Sequence, residues 1–441
     1  MSRFLLRRLS PALVAFLLIG DLSAGPVTIP RRFDFGKGKG GEAATPVGAG
    51  DLFTEERGFG IEPEDKPSQE GGGLTASPGF AFSVALPEGN YDVTVETGSD
   101  QAAADTTIKS EDRRLMAERI LTQPGQTATA RFTVNVRTPV LPDGGRVKLT
   151  QREQGPPLAR RWDGKLTLEF CGTHPSVRSV EIRPNQKAFT VFLAGDSTVT
   201  DQAFEPWAGW GQMLPRFLKP GVAVANQAES GLSLGSFKAQ RRLDKILSVM
   251  RPGDFVLVQF GHNDQKDKKP GAGPFTTYKA NLKEFVGVVR AKGGQAVVVT
   301  PMERRRFDAS GRAEPTLADY AEAARQVGQE EKVPVIDLNK MSLLVYQALG
   351  SEGSKKAFVH YAAGSFPDQD AALKDDTHHN AFGGYELAKC VVEGIRADVP
   401  ALKACLLDGL PAFDPSHPDK PEEIRLPASP VHAKPVKPAG N

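Results

Sequence analysis

The chain lacks an excess of charge of either sign, and it also lacks a hydrophobic run long enough to cross a membrane. Its 55 Lys and Arg residues balance 53 Asp and Glu residues, which leaves a formal net charge of +2 over 441 residues. This balance argues against nucleic acid or an anionic membrane surface as the main partner. One apolar run stands out, PALVAFLLIG at positions 11–20, and it is too short to span a bilayer.

That apolar run has the features of an export signal. Arg3, Arg7 and Arg8 precede it, and the segment Leu-Ser-Ala-Gly at 22–25 offers a cleavage site after Ala24. We therefore predict that residues 1–24 are a signal peptide and that the chain is secreted or periplasmic. An N-terminal anchor that stays uncleaved is the alternative. After cleavage we expect no insertion into a membrane.

Cysteine is scarce as well, with three residues in the whole chain. Three thiols do not make a disulfide framework, and their spacing matches no zinc site. Cys390 and Cys405 lie close together in sequence, so they are the expected pair in an exported protein. Cys171 lies in the strand-like run LTLEFCG, where we expect a buried apolar residue.

The hydrophobic pattern changes near residue 186 and predicts two domains. Residues 25–186 read as short strands separated by Gly, Pro and Asp-Gly turns, which predicts a β-sandwich, with 112–121 as its one candidate for a short helix. Residues 187–408 alternate strand-like and helical runs, which predicts a parallel α/β sheet covered on both faces. Residues 409–441 are rich in proline, charge and small side chains, and we expect a disordered tail.

Four unusual segments fall where strands of the predicted parallel sheet end or where the last helix begins. They are GDST at 195–198, ESGLS at 229–233, GHND at 261–264 and DDTHHN at 375–380. Taken alone, GDST indicates no more than a turn after a strand. Because ligands bind at the carboxyl ends of parallel strands, the four segments together indicate a site. Asp375 and His378 are spaced so that the carboxylate can orient the imidazole, whose other nitrogen can take a proton from Ser197.

Two alternatives use the same residues differently. GLSLG at 231–235 matches the G-x-S-x-G nucleophile pattern, with Ser233 as nucleophile and Asp337 and His378 in the required order. The pattern is short, however, and no oxyanion motif of the matching kind is present. The second alternative is a zinc site formed by the cluster Asp375, Asp376, His378 and His379, although adjacent histidines rarely aim at one point.

The four segments, in this order, resemble the successive blocks of the SGNH (GDSL) hydrolases. TPMERRRFD at 300–308 and WAGWGQMLPRF at 207–217 resemble segments of the rhamnogalacturonan acetylesterases within that superfamily. The likeness covers residues 189–405. It implies a three-layer, flavodoxin-like parallel sheet, preceded by an all-β sandwich of the galactose-binding-like kind.

The resemblance implies roles for particular residues. Ser197 would be the nucleophile, His378 the general base and Asp375 the residue that orients it. The backbone N–H groups of Ser197 and Gly231 and the side chain of Asn263 would form the oxyanion hole. Members often carry Arg after the glycine of the second block, and this chain has Leu232 there, so an arginine contact at that place is not expected.

The implied activity is hydrolysis of O-acetyl esters on a polysaccharide, most simply pectic rhamnogalacturonan, without metal or cofactor. Arg304 and Arg305 could bind a galacturonate carboxylate, although a structural ion pair is the plainer interpretation. Trp207 and Trp210 could stack on sugar rings, or they could pack inside the domain. The alternatives are an esterase acting on peptidoglycan O-acetyl groups or small lipids, and a glycan-binding protein without activity.

Overall fold

A computed structural model describes residues 31–36, 44–430 and 434–440. The predicted signal peptide lies outside these residues. Among the helices that the structure describes, none is long and apolar enough to cross a membrane.

The first half of the chain forms two facing β-sheets. One sheet has the strand order β10-β7-β12-β1-β2, with β5 on β12 and β4 on β5, and the other has the order β3-β6-β11-β8-β9. The strands are β1 (Arg31–Asp34), β2 (Ala44–Pro46), β3 (Phe59–Ile61), β4 (Ser68–Glu70), β5 (Gly73–Thr75), β6 (Gly79–Ala85), β7 (Gly89–Thr97), β8 (Ala104–Ser110), β9 (Arg114–Thr122), β10 (Ala128–Val136), β11 (Lys165–His174) and β12 (Ser176–Pro184).

The core of this sandwich is built from one face of each sheet. Aromatic residues dominate it, and Phe82 makes edge-to-face contacts with Phe33 and Phe35. The segment that the sequence offered as a short helix is instead the strand β9, paired with β8. Its Leu, Met, Ala and Glu residues favour a helix intrinsically, but pairing with a neighbouring strand overrides that preference.

The second half of the chain confirms the predicted doubly wound α/β fold. Its parallel sheet has the order β15-β13-β16-β17-β18, which is 2-1-3-4-5 in chain order and is the order of flavodoxin-like folds. The strands are β13 (Phe189–Gly195), β15 (Val222–Asn226), β16 (Phe255–Gln259), β17 (Gln295–Val299) and β18 (Val335–Ile336). The helices are α1 (Trp210–Met213), α2 (Leu234–Ala239), α3 (Arg242–Val249), α4 (Lys279–Ala291), α5 (Ala318–Glu331), α6 (Leu338–Gly353), α7 (Ala381–Asp398) and α8 (Pro400–Lys403).

Alternate residues of the sheet face two separate apolar layers. Val191 and Leu193 of β13 pack toward α1, α6 and α7, whereas Phe192 and Ala194 pack toward α2, α3, α4 and α5. This alternation follows from the two-residue period of a strand. It explains why β13 is an unbroken apolar run up to the point where it must end.

A small antiparallel sheet lies beside the carboxyl ends of the parallel strands. It consists of β14 (Trp207–Ala208), β20 (Leu373–Asn380) and β19 (Phe358–Tyr361), in that order. Strand β20 carries Asp375 and His378, and its last residue, Asn380, caps α7 by accepting a hydrogen bond from Gly383 N. The DDTHHN segment is therefore the second part of a strand whose last residue is held by the start of α7.

The structure differs from the sequence prediction at two places late in the chain. Residues 410–430 were expected to be disordered, but Leu410, Phe413, Ile424 and Leu426 pack against the core beneath α7. Four spaced apolar side chains and a proline-rich backbone, which has little entropy to lose, account for that order. All three cysteines are free, and the expected Cys390–Cys405 disulfide is not formed.

Candidate active site

The strand β13 delivers Ser197 through a tight turn. Asp196 makes the turn, because its Oδ1 accepts hydrogen bonds from Thr198 N at 3.0 Å and from Thr198 Oγ1 at 2.8 Å. Gly195 is required just before it, since a Cβ there would lie 2.4 Å from Val199 Cγ2. Ser197 is thus the second residue after a rigid strand, at the sheet's carboxyl edge.

Ser197, His378 and Asp375 form a continuous hydrogen-bonded chain. Ser197 Oγ lies 2.8 Å from His378 Nε2, and His378 Nδ1 lies 2.8 Å from Asp375 Oδ2. Asp375 and His378 are brought together by the local path of β20, but Ser197 comes from 181 residues away in sequence. A carboxylate on Nδ1 leaves Nε2 as the acceptor for the serine proton, which is the arrangement that activates a serine nucleophile.

The surroundings of Asp375 keep its carboxylate ionised. Burial by itself raises the pKa of Asp375, but the hydrogen bond and attraction from His378, together with the backbone N–H groups of Thr377 and His378, hold that pKa below its ordinary value. Those two N–H groups donate to Oδ1 at 3.0 and 3.1 Å. The carboxylate is therefore a fixed acceptor, oriented by the backbone that follows it.

A further residue supports Asp375 and was missed in this role from the sequence. The indole Nε1 of Trp207 donates to Asp375 Oδ2 at 3.3 Å. Strand β14 places it there by pairing Trp207 with Asn380 and Ala208 with His379. A contact between residues 168 positions apart leaves no local pattern in the sequence.

Gly231 and Asn263 meet on one side of the site. Gly231 has φ +83°, the left-handed conformation that glycine adopts readily. Asn263 Nδ2 donates to Leu232 O at 3.1 Å, which leaves one further N–H on that amide for a ligand. Both residues contact Gly440: a Cβ built on Gly440 would lie 2.7 Å from Asn263 Oδ1 and 3.2 Å from Gly231 N.

Comparisons with known proteins agree with this geometry. The family described as GDSL-like lipase/acylhydrolase matches residues 193–384. Rhamnogalacturonan acetylesterase RhgT of Bacillus subtilis (strain 168) is 42% identical over 212 residues, which are 48% of this chain and 90% of that protein. The chain belongs to the GDSL-like lipase/acylhydrolase family. It is a carboxylic ester hydrolase.

A second relative extends over both domains. YxiM of Bacillus subtilis (strain 168), an uncharacterized esterase, is 25% identical over 383 residues, which are 83% of this chain and 90% of that protein. A crystal structure of YxiM aligns with 83% of this chain and with 98% of the YxiM chain, with 24% sequence identity and a TM-score of 0.43. The RhgT match, in contrast, lies in the C-terminal half of this esterase.

The two arginines that the sequence singled out differ in this hydrolase. Arg305 is a structural residue: its Nη1 pairs with Asp376 at 2.8 Å and its Nε donates to Ser354 Oγ at 3.0 Å. Arg304 reaches back toward the GHND segment, donating to Gln265 Oε1 at 2.9 Å and to His262 O at 3.3 Å. Only Arg304 therefore lies beside the catalytic edge.

The sugar-stacking role suggested for the two tryptophans is wrong for this esterase. Trp207 is 2% exposed and Trp210 is 1% exposed, so neither ring offers a face to a ligand. Trp210 Nε1 donates to Gln259 Oε1 at 2.9 Å, and Gln259 Nε2 donates to Thr198 Oγ1 at 2.6 Å. Each tryptophan packs in the core with its indole N–H held by a polar partner.

The geometry contradicts the Ser233 alternative. Ser233 is the N-cap of α2, where its Oγ accepts from Ser236 N at 3.2 Å. The acid of that alternative, Asp337, caps α6 and pairs with Arg325 at 3.0 Å. Both side chains thus serve helix ends rather than a catalytic chain.

The zinc alternative is contradicted as well. Asp376 pairs with Arg305 and with His360, whereas His379 lies 2.9 Å from Tyr346 Oη, in a pocket whose burial lowers the histidine pKa to about 3. Asp375 and His378 bind each other, whereas Asp376 and His379 have other partners, so the four side chains do not converge on one point. Within the described ranges, no group of three or more His, Cys, Asp or Glu side chains is placed to hold a metal ion.

Proposed function

We propose that this hydrolase is an exported carbohydrate esterase that removes O-acetyl groups from a pectic polysaccharide, most simply rhamnogalacturonan. The observation that carries the proposal is the unbroken chain from Ser197 Oγ through His378 to Asp375 at the sheet edge. The names of two relatives, RhgT and the rhamnogalacturonan acetylesterase of Emericella nidulans, supply the substrate class. The sequence features of a signal peptide supply the location.

The reaction follows from the positions of three atoms. Ser197 Oγ attacks the acetyl carbonyl carbon while its proton passes to His378 Nε2. The tetrahedral intermediate collapses as Nε2 returns that proton to the sugar oxygen, which leaves as the free hydroxyl. Water then attacks the acetyl-serine with His378 again taking a proton, and acetate leaves with Ser197 restored.

The oxyanion would be held by the donors around Gly231. In the proposed oxyanion hole, the backbone N–H groups of Ser197 and Gly231 and the second N–H of Asn263 Nδ2 would donate to the carbonyl oxygen of an ester bound at Ser197. Donors fixed before the reaction stabilise charge as it develops without reorganising. Gly231 has the left-handed backbone that supports this role, and any other residue there would be strained.

Positive charge beside the site favours an acidic glycan. Burial, followed by repulsion from Arg304, lowers the pKa of Lys266. Arg304 therefore lies within electrostatic reach of Lys266, which donates to Asn263 Oδ1 at 3.2 Å. A galacturonate carboxylate on the substrate would relieve this repulsion, whereas a neutral xylan would not.

The decisive experiment measures acetate released from a panel of acetylated polymers. The panel comprises rhamnogalacturonan, homogalacturonan, xylan and peptidoglycan, with p-nitrophenyl acetate as a small reference ester. We expect rhamnogalacturonan to be deacetylated fastest, and Ser197→Ala to abolish release while Ser233→Ala retains it. Equal rates on acidic and neutral glycans would overturn the pectic assignment, and an active Ser197→Ala would overturn the mechanism.

Arg304→Gln separates the substrate proposal from the chemistry. We expect the variant to lose activity on rhamnogalacturonan through a higher KM, while turnover of the neutral reference ester stays within about twofold. The matched control is Arg305→Gln, because Arg305 is bound to Asp376 and Ser354 instead. An Arg305→Gln variant that raises KM as much as Arg304→Gln would remove the special role of Arg304.

A further inference from the structure

The β-sandwich reaches into the segment that carries the nucleophile. We define the nucleophile loop as residues 196–202. Three consecutive residues of this loop, Thr200, Asp201 and Gln202, each bind one arginine of the sandwich. These arginines are Arg161, Arg114 and Arg113, and each is at most 5% exposed.

The three contacts are direct. Arg161 Nη1 donates to Thr200 Oγ1 at 2.9 Å, and Arg114 Nη2 donates to Asp201 Oδ2 at 2.7 Å. Arg113 Nη1 donates to Gln202 O at 2.8 Å and also to Trp207 O at 2.9 Å. Together they fix the loop and the strand that carries the partner of Asp375.

The contact made by Arg113 is linked through Gln202 to Ser197. The side chain of Gln202, whose carbonyl is held by Arg113, donates from Nε2 to Ser197 O at 2.7 Å and to Ser230 Oγ at 3.3 Å. Ser230 immediately precedes Gly231. Gln202 therefore links the nucleophile to the segment of the second oxyanion donor, and Arg113 sets the position of Gln202.

The backbone at Arg113 is itself unusual. Glu111 and Arg113 have φ values of +53° and +61° in the turn between β8 and β9. Side chains other than glycine rarely adopt that region, and holding them there costs roughly 1–3 kcal/mol each. Buried ion pairs also stabilise a fold little compared with apolar packing. A gain in folding stability therefore does not explain why the chain adopts this turn with a buried arginine in it.

The geometry points to Arg113, acting through Gln202, as a positioning residue for Ser197 and the oxyanion donors, with Arg114 and Arg161 holding the rest of the loop. The sandwich is then part of the esterase site rather than a detachable glycan-binding module. This inference rests on the catalytic role proposed for Ser197, and it is independent of which glycan is the substrate.

The test compares Arg113→Met with a matched substitution at the same domain boundary. Lys245 of α3 is buried and binds Glu88 Oε1 and Val140 O of the sandwich at 2.7 Å each, but it does not touch the nucleophile loop. Both variants should lower the unfolding temperature. On p-nitrophenyl acetate we expect Arg113→Met to lose roughly a hundredfold in kcat with little change in KM, whereas Lys245→Met stays within about twofold of the wild type.

Two additional variants decide the case if Arg113→Met does not fold. Arg113→Lys retains a donor for Gln202 O and should recover most of kcat. Gln202→Met removes the link inside the second domain and should reproduce the loss in kcat. The rate of fluorophosphonate labelling at Ser197 gives the same comparison without any assumption about the substrate. A wild-type labelling rate in Gln202→Met, or an equal loss in Lys245→Met, would overturn the inference.

A second and independent observation concerns residues 434–440, which lie on the catalytic residues. Gly440 packs so closely that a Cβ on it would lie 2.8 Å from Gly231 Cα and 2.7 Å from Asn263 Oδ1. Lys437 Nζ lies 4.0 Å from Asp375 Oδ2. Ser197, which must receive a substrate, is 3% exposed.

The preceding chain is tied to the sandwich. Ser429 Oγ donates to Glu169 Oε2 at 2.5 Å, and Lys109 Nζ donates to Pro427 O at 2.7 Å. This anchor is separate from the site and would keep a displaced 434–440 segment close to it. An attached occupant competes with substrate at a high effective concentration.

We infer that the 434–440 segment is an intramolecular inhibitor that an incoming ester must displace. If only a fraction of the molecules has an open site, the apparent affinity for substrate is reduced by that fraction. Removal of the segment should therefore lower KM and leave kcat unchanged.

The test compares the full chain with one that ends at Pro430, which keeps the anchor. We expect KM for p-nitrophenyl acetate to fall, and the labelling rate at Ser197 to rise, by roughly tenfold if nine in ten molecules are occupied. A peptide of residues 431–441 should inhibit the shortened chain competitively, and a scrambled peptide should not. An unchanged or raised KM after shortening would overturn the inference.

A point substitution gives the same information without shortening the chain. Gly440→Val should act like the shortened chain, since its backbone has φ +99° and its side chain would meet Asn263 and Gly231. Val436→Ala is the matched control, because Val436 is 41% exposed. Gly440→Val with wild-type KM and labelling rate would contradict an occupied site.

Discussion

Replacing Asp375 by asparagine tests the role of the carboxylate without changing its size. Asp375 Oδ1 accepts two backbone N–H groups, those of Thr377 and His378. Only the carbonyl oxygen of an asparagine can accept them, so the NH2 group must take the place of Oδ2. That place is 2.8 Å from His378 Nδ1.

The structure therefore fixes the wrong tautomer in this variant. An NH2 group facing Nδ1 makes Nδ1 an acceptor, and the imidazole proton moves to Nε2. Nε2–H then points at Ser197 Oγ and cannot take its proton. A serine hydrolase with this defect loses roughly 10⁴-fold in kcat, which is about 5 kcal/mol of transition-state stabilisation.

The assay is turnover of p-nitrophenyl acetate by Asp375→Asn and by Asp376→Asn. Asp376 is the neighbouring carboxylate, half exposed and bound to Arg305 and His360, so Asp376→Asn should stay within about twofold. Fluorophosphonate labelling at Ser197 should fall in parallel in Asp375→Asn. A loss of less than tenfold in Asp375→Asn, or an equal loss in both variants, would refute this reasoning.

Three further substitutions give separate readings of the site. Asn263→Ala removes one oxyanion donor and should cost roughly 10²–10³-fold in kcat on p-nitrophenyl acetate at unchanged thermal stability, so unaltered turnover would exclude Asn263 from the hole. Trp207→Phe keeps the buried ring but removes the N–H that binds Asp375, and we expect a loss of about tenfold in kcat, consistent with one hydrogen bond to a charged group. Burial raises the pKa of Asp264 to about 7, whereas an unfolded aspartate titrates near 4, so the folded protein loses stability as pH rises between those values. The Asp264→Asn variant should therefore melt at a higher temperature than the wild type at pH 8 and at a similar temperature at pH 4. A difference in melting temperature that is the same at both pH values would contradict this prediction.

The features that the sequence predicted are those encoded in short stretches of chain. Strand β13, an unbroken apolar run before Gly195, could be identified because a buried parallel strand has that pattern. Asp375 and His378 could be paired because only two residues lie between them. The change from a β-rich region to an α/β region could be predicted from the change in hydrophobic period along the chain.

The features that the sequence did not reveal depend on contacts between distant segments. The burial of Trp207 and Trp210 is set by packing under α7, and an aromatic residue near a motif looks the same whether buried or exposed. The order of residues 410–430 depends on four apolar side chains finding a surface that the rest of the fold creates. The contacts of Arg113, Arg114 and Arg161 join residues that lie between 39 and 94 positions from their partners.

The junction between the domains explains why these contacts matter. Strand β12 ends at Pro184 and β13 begins at Phe189, so residues 185–188 alone connect the two. The connection is held on both sides, by Asn185 Nδ2 on Asp92 Oδ2 at 2.8 Å and by Asn90 Nδ2 on Thr190 Oγ1 at 2.9 Å. A connection this short and this fixed does not act as a flexible tether.

The sandwich can then influence catalysis only through its surface against the second domain. That surface places Leu115, 1% exposed, inside the core that supports β13. Because β13 ends at Gly195, two residues before Ser197, the packing and the arginines of the first domain act on the same few residues of the nucleophile loop.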